Sequence, residues 1–133
     1  MRAVGLACLL LAVSAGSAAA AEDFEFFKSP SGNIMCMYMA PTNLAQPGRT
    51  SVRCDVLKTT AGRTRSAEVT PRGRVKLFTP SDVAGGTPQP VLRYGATFRR
   101  GPFRCTSRVR GMTCRSVLSG HGFELSRERQ RTF

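Results

Sequence analysis

Apolar and polar residues alternate in short runs along most of the chain. Nowhere do apolar residues recur at the three-to-four spacing that a helix face requires. Ile34, Cys36 and Tyr38 alternate with Met35, Met37 and Met39, and Val52, Cys54 and Val56 alternate with Arg53 and Asp55. Val75 and Leu77 sit within RVKLF, and Leu92, Tyr94, Ala96 and Phe98 form a further alternating set. Successive side chains of a strand point to opposite faces, so each run predicts a β-strand with one buried face. Turn-forming clusters separate the runs: Ser29-Pro30-Ser31-Gly32-Asn33, the loop Pro41–Thr50, and Ser119-Gly120-His121-Gly122. Thr59–Thr70 is polar and without pattern, which predicts an exposed loop. Thr79–Pro90, rich in Pro and Gly, predicts a long surface loop. In EDFEFFK, Phe24, Phe26 and Phe27 are expected to anchor the N-terminal segment on the core. Ser126 is expected to cap a short helical turn, Arg127 to Arg131. Many short strands with turn signals between them predict an all-β domain, a small sandwich or barrel-like fold.

The stretch Gly101–Phe123 contains the most specific pattern. Phe103, Cys105 and Ser107 share one strand face, and Met112, Cys114 and Ser116 share the next. A four-residue connection, Arg108-Val109-Arg110-Gly111, sets Ser107 opposite Met112 and Cys105 opposite Cys114, with Gly111 at positive φ. The rival turn, Arg110-Gly111, sets Cys114 opposite Ser107 and disfavours a bridge. The first register predicts a Cys105–Cys114 disulfide, because directly opposed residues bring their Cβ atoms to bridging distance. Cys36 and Cys54 lie on the inward faces of consecutive strands and form the natural second pair. On the chain-entropy treatment the two loops contribute about 2.7 and about 3.2 kcal/mol respectively.

Composition places this framework outside the cytoplasm. Met1-Arg2, the apolar run Val4–Val13 and the small residues Ser14–Ala21 have the layout of a secretory signal peptide, 1–21, cleaved after Ala20 or Ala21. The apolar run is too short to span a bilayer. The remaining 22–133 forms a single domain carrying four cysteines, and an even count in a small exported protein reads as a disulfide set. Zinc is disfavoured: there is no C-x-x-C and His121 is the only histidine. No metal or other cofactor is expected. Ordinary packing accounts for Met35, Met37 and Met39 better than a copper(I) site or a methionine-lined binding surface. Removing Arg2 takes the formal charge from +12 to +11. The simpler reading of that charge is a solvated cationic surface, and the functional one is an anionic partner.

The segments F-x-S-P-S-G-N-I-x-C (Phe27–Cys36), V-R-C-D (Val52–Asp55), L-x-Y-G (Leu92–Gly95), G-P-F-x-C-x-S (Gly101–Ser107), G-M-T-C (Gly111–Cys114) and G-H-G-F-x-L-S-R (Gly120–Arg127) occur in this order. Together they resemble a family of small exported bacterial proteins of unknown function. The resemblance implies export and a compact four-cysteine domain, and it supplies no catalytic residues.

Catalytic patterns are missing from the sequence. Gly85-Gly86 is followed by Thr87-Pro88 rather than by a phosphate-binding Lys-Ser/Thr, and no G-x-S-x-G occurs. Asp55, Glu68, Asp82 and Glu124 are scattered among arginines, so no carboxylate pair is evident. His121 is the only candidate acid–base side chain of its type, and it has no nucleophile or metal partner in the sequence, which favours a structural role. Arg104, Arg108, Arg110 and Arg115, beside Arg99 and Arg100, form the densest basic cluster and the candidate anion-binding site. The reading this supports is a non-enzymatic exported module, periplasmic or extracellular. It would meet an anionic lipid, a glycan or an acidic protein through its basic face. Tyr94, Phe98 and Phe103 pattern as core rather than as stacking platforms, which with export argues against nucleic acid. The alternatives are a hydrolase using His121 and an inhibitor or stress protein presenting the rigid loop Thr79–Pro90.

Overall fold

The structure, a computed structural model, describes residues 22–41, 50–85 and 88–133; the signal-peptide reading of 1–21 lies outside them. Ten strands form two five-stranded antiparallel sheets, with no helix among the described residues. The first half of the chain builds one sheet in simple succession. Its strands are β1 (Glu22–Lys28), β2 (Ile34–Pro41), β3 (Ser51–Val56), β4 (Arg65–Val69) and β5 (Val75–Phe78). The second half builds the other: β6 (Thr97–Arg100), β7 (Phe103–Arg108), β8 (Gly111–Ser116), β9 (Gly122–Leu125) and β10 (Gln130–Thr132). Alternate residues of both sheets face a shared core. Ile34, Cys36, Tyr38, Val52, Cys54 and Val56 meet Phe103, Cys105, Met112, Cys114, Phe123 and Leu125. The domain is therefore a small disulfide-bonded β-sandwich.

Both disulfides lie within a sheet. Cys36–Cys54 joins β2 to β3 and Cys105–Cys114 joins β7 to β8, with Cα atoms 4.0 and 4.1 Å apart. Both pairs occupy non-hydrogen-bonded positions, where opposed side chains come closest. The β7–β8 register is Cys105 opposite Cys114 and Ser107 opposite Met112. The ladder runs one pair beyond the expected loop, to Arg108 opposite Gly111, so only Val109 and Arg110 remain in the turn. Gly111 is required twice over. Its φ is +145°, and a Cβ there would lie 2.3 Å from the Leu125 carbonyl oxygen.

Four expectations are corrected. Thr59–Thr70 is not simply an exposed loop: Arg65–Val69 is β4, paired on both sides, with Ser66, Ala67 and Val69 buried. The C-terminal helical turn is instead a bend followed by strand β10, which pairs with β9 through Gln130 opposite Leu125. Ser126 does cap, accepting from the Arg129 amide at 2.9 Å, but it closes a tight turn. Strand β6 begins at Thr97, so Leu92 and Tyr94 belong to the crossover. There the Leu92 amide donates to the Lys28 carbonyl, and Tyr94 is exposed. Of the N-terminal phenylalanines only Phe27 enters the core, stacked on Phe98 at 4.3 Å, while Phe24 is exposed. Met35, Met37 and Met39 are on the outer face of β2 and are half-buried.

Residues 79–84, after β5, are tied to the first sheet, and Asp55 makes the buried tie. This carboxylate is fully buried although it points away from the sandwich core. It accepts from Arg53 Nε at 2.9 Å, Ser66 Oγ at 2.5 Å and the Ala84 amide at 2.5 Å. Arg53 also reaches Asp82 at 3.2 Å, and its guanidinium lies over the Phe78 ring. Burial weakens the Arg53 charge, and the Asp55 and Asp82 carboxylates outweigh that effect, so its pKa ends raised.

On the second sheet, Arg131 of the end strand β10 donates to Glu124 Oε2 through Nη2 (2.6 Å) and Nε (3.0 Å). That bond, aided by the nearby Arg110 and Arg129 charges, holds the Glu124 carboxyl below its ordinary value. A depressed carboxyl contributes stability above its unfolded pKa, about 4.3, and the contribution fades as pH falls through the lower folded value. Glu124→Gln is therefore expected to cost under about 1 kcal/mol at pH 7 and nothing near pH 2. Urea unfolding at the two pH values checks this, and an equal cost at both would contradict it.

Candidate functional site

One open groove, about 490 Å³, lies at the end of the sandwich where the β7–β8 turn meets the turn between β1 and β2. Arg108 and Arg110 enter it from the hairpin tip, Lys58 from the segment after β3, and Arg127 from the bend before β10. Tyr94, 45% exposed, contributes an accessible ring, and Glu128 is the only acidic residue of the lining. Four cations against one anion make this a positive concavity, and low-dielectric walls focus such a field.

The floor is rigid for local reasons. Gly32 adopts φ +72°, which lets residues 29–33 close into a tight turn. The Ser29 hydroxyl accepts from the Ile34 amide at 3.2 Å and meets Ser31 Oγ at 3.0 Å. Asn33 clamps the neighbouring segment by accepting from the Lys58 amide and donating to its carbonyl, both at 3.1 Å. The backbone bearing Lys58 is thus fixed while its ammonium stays free to reach a ligand. Among the described residues, no ion pair shorter than 4.0 Å involves Lys58, Arg108, Arg110 or Arg127.

The four arginines singled out from the sequence do not form one site. Arg108 and Arg110 line the groove. Arg104 and Arg115 pair directly across β7 and β8, with Arg99 opposite Arg104 on β6, making a row of three on the outer face of the second sheet. Four residues of strand, about 13 Å, separate Arg104 from Arg108. Lys58 and Arg127 complete the groove, and Lys58 comes from a segment with no distinguishing sequence signal. The Ser29–Asn33 turn and the Leu-Ser-Arg ending at Arg127 were visible as motifs, although neither indicated a shared pocket.

His121 lies elsewhere. It is exposed, and its Nδ1 is 3.2 Å from the Phe133 backbone oxygen, while Gly122 and Phe133 exchange backbone hydrogen bonds at 2.9 and 3.0 Å. Among the described residues its ring makes no hydrogen bond to a hydroxyl, thiol or carboxylate. The cysteine sulfurs are the one potential metal cluster of the described residues, with Cys36, Cys54 and Cys114 Sγ all within 4.8 Å of one another. As disulfides they offer no thiolate. No helix of the described residues is long and apolar enough to cross a membrane. The two disulfides suit an oxidising compartment.

The chain matches a family of unknown function, DUF6636, over residues 5–133. No curated protein and no solved structure matches it.

Proposed function

Because the chain belongs to the DUF6636 family, whose function is unknown, we propose from the groove itself that the protein is an exported, non-enzymatic binding module for an anionic ligand. The observation that carries this reading is the convergence on one concavity of Lys58, Arg108, Arg110 and Arg127, none of which forms an ion pair among the described residues. Arginine recognises phosphate and carboxylate through its planar fork, and Ser29, Ser31 and Asn33 of the 29–33 turn line the same groove. The signal-like N-terminus and the disulfides support action in the cell envelope or beyond it, where anionic headgroups, acidic glycans and acidic proteins are the available partners. Hydrolysis at His121 is the weaker reading, since its ring is committed to backbone rather than to a nucleophile.

Binding to phosphatidylglycerol vesicles tests the proposal. Near a charged surface each basic side chain contributes about 1 kcal/mol, so Arg108→Ala with Arg127→Ala is expected to weaken binding about thirty-fold. The comparison variant, Arg104→Ala with Arg115→Ala, is expected to weaken it far less, and high salt to abolish it. Equal losses for both pairs would reduce the effect to net charge and sink the site.

A further inference from the structure

The two disulfides stack on one another across the sandwich. Cys54 Sγ, on β3, lies 3.6 Å from Cys114 Sγ, on β8, so the sulfurs of the two sheets are in van der Waals contact. Since each bridge is internal to its own sheet, no disulfide among the described residues joins the sheets. We propose that these sulfurs form a thiol–disulfide exchange site, in which a dithiol reductant converts the two intra-sheet bridges into a single inter-sheet bridge, Cys54–Cys114.

The chemistry balances with the dithiol as the only co-reactant. All four sulfurs are buried, so the dithiol acts when the sandwich opens locally. It reduces Cys36–Cys54 to two thiols and itself becomes a disulfide, delivering two electrons and two protons. Cys54 then loses its proton and attacks Cys114 Sγ. The Cys54–Cys114 bond forms as Cys105–Cys114 breaks. The electron pair leaves on the Cys105 sulfur, which takes up a proton. If Cys105–Cys114 is reduced first, Cys114 attacks Cys54 Sγ and Cys36 is expelled. Both routes end at the same species, with free Cys36 and Cys105. The new bridge closes a sequence separation of 60, against 18 and 9 for the native pair. On the chain-entropy treatment, a longer closed loop constrains the unfolded state more. The inference is independent of the groove: it concerns the core, and the ligand does not enter it.

Limited treatment of the native protein with dithiothreitol, acid quenching and alkylation with N-ethylmaleimide tests it by non-reducing peptide mapping. The expected two-thiol species carries label on Cys36 and Cys105 and yields a Cys54–Cys114 bridged peptide. Label confined to Cys36 with Cys54, or to Cys105 with Cys114, would overturn the proposal. A second test uses Cys36→Ala with Cys105→Ala, which leaves only the facing pair. Air oxidation is expected to remove both remaining thiols, and folded protein that keeps two thiols after oxidation would likewise overturn it. Should that variant not fold, the dithiothreitol mapping of the native protein decides alone.

Discussion

Asp55→Ala is expected to lower the unfolding free energy by about 3–5 kcal/mol. The carboxylate is fully buried and accepts three bonds, from Arg53, Ser66 and the Ala84 amide. Its removal leaves the Ser66 hydroxyl and the Ala84 amide without their partner and deprives Arg53 of the nearer of its two carboxylates. An unmade bond at a buried donor costs its full desolvation, about 1–3 kcal/mol, and two donors are affected. The segment 79–85 loses its Ala84 tie to the sheet at the same time and keeps only the Arg53–Asp82 and Arg65–Thr79 contacts. Limited proteolysis should therefore cut the variant within that segment before it unfolds. Urea denaturation measures the stability loss, and a cost under about 1 kcal/mol would show that the network is dispensable.

Replacing both cysteines of one bridge by Ala should cost about 3 kcal/mol, within the 2–5 usual for small exported domains. Loss of Cys36–Cys54 is expected to cost more than loss of Cys105–Cys114, by about 0.5 kcal/mol, because its loop is longer. Pairwise replacement matters, since a single replacement would leave a lone buried thiol beside the other bridge. Parallel urea titrations of the two double variants give the order. The reverse order would mean that packing around the sulfurs, rather than loop entropy, sets the contribution.

The fold was legible where alternation and turn chemistry agreed. Ile34–Met39, Val52–Val56 and the Phe103–Ser116 hairpin carry both signals, and these strands supply all four bridged cysteines. Strand β4 was not legible because its inward residues, Ala67 and Val69, are a short and weakly apolar pair, and its outward Ser66 is buried only because Asp55 binds it. Leu92, Tyr94, Ala96 and Phe98 alternate as a strand would, yet the first three serve the crossover, where Gly95 at φ +86° turns the chain. The tail SRERQRTF has no apolar alternation, so its pairing with β9 depends on a neighbour rather than on its own sequence. The groove was half legible. Arg108 and Arg110 are adjacent to the hairpin signal, whereas Lys58 and Arg127 join them only through the return of distant segments to one end of the sandwich.

The groove is the claim on which the functional account depends, and an amide-resolved NMR titration with inorganic pyrophosphate locates the anion directly. The account predicts saturable shifts confined to the 29–33 turn, Lys58, Tyr94, the Arg108–Gly111 tip and Ser126–Glu128, with the Arg99, Arg104 and Arg115 row silent at the same concentrations. Shifts spread evenly over every arginine-bearing strand, or centred on that outer row, would contradict it.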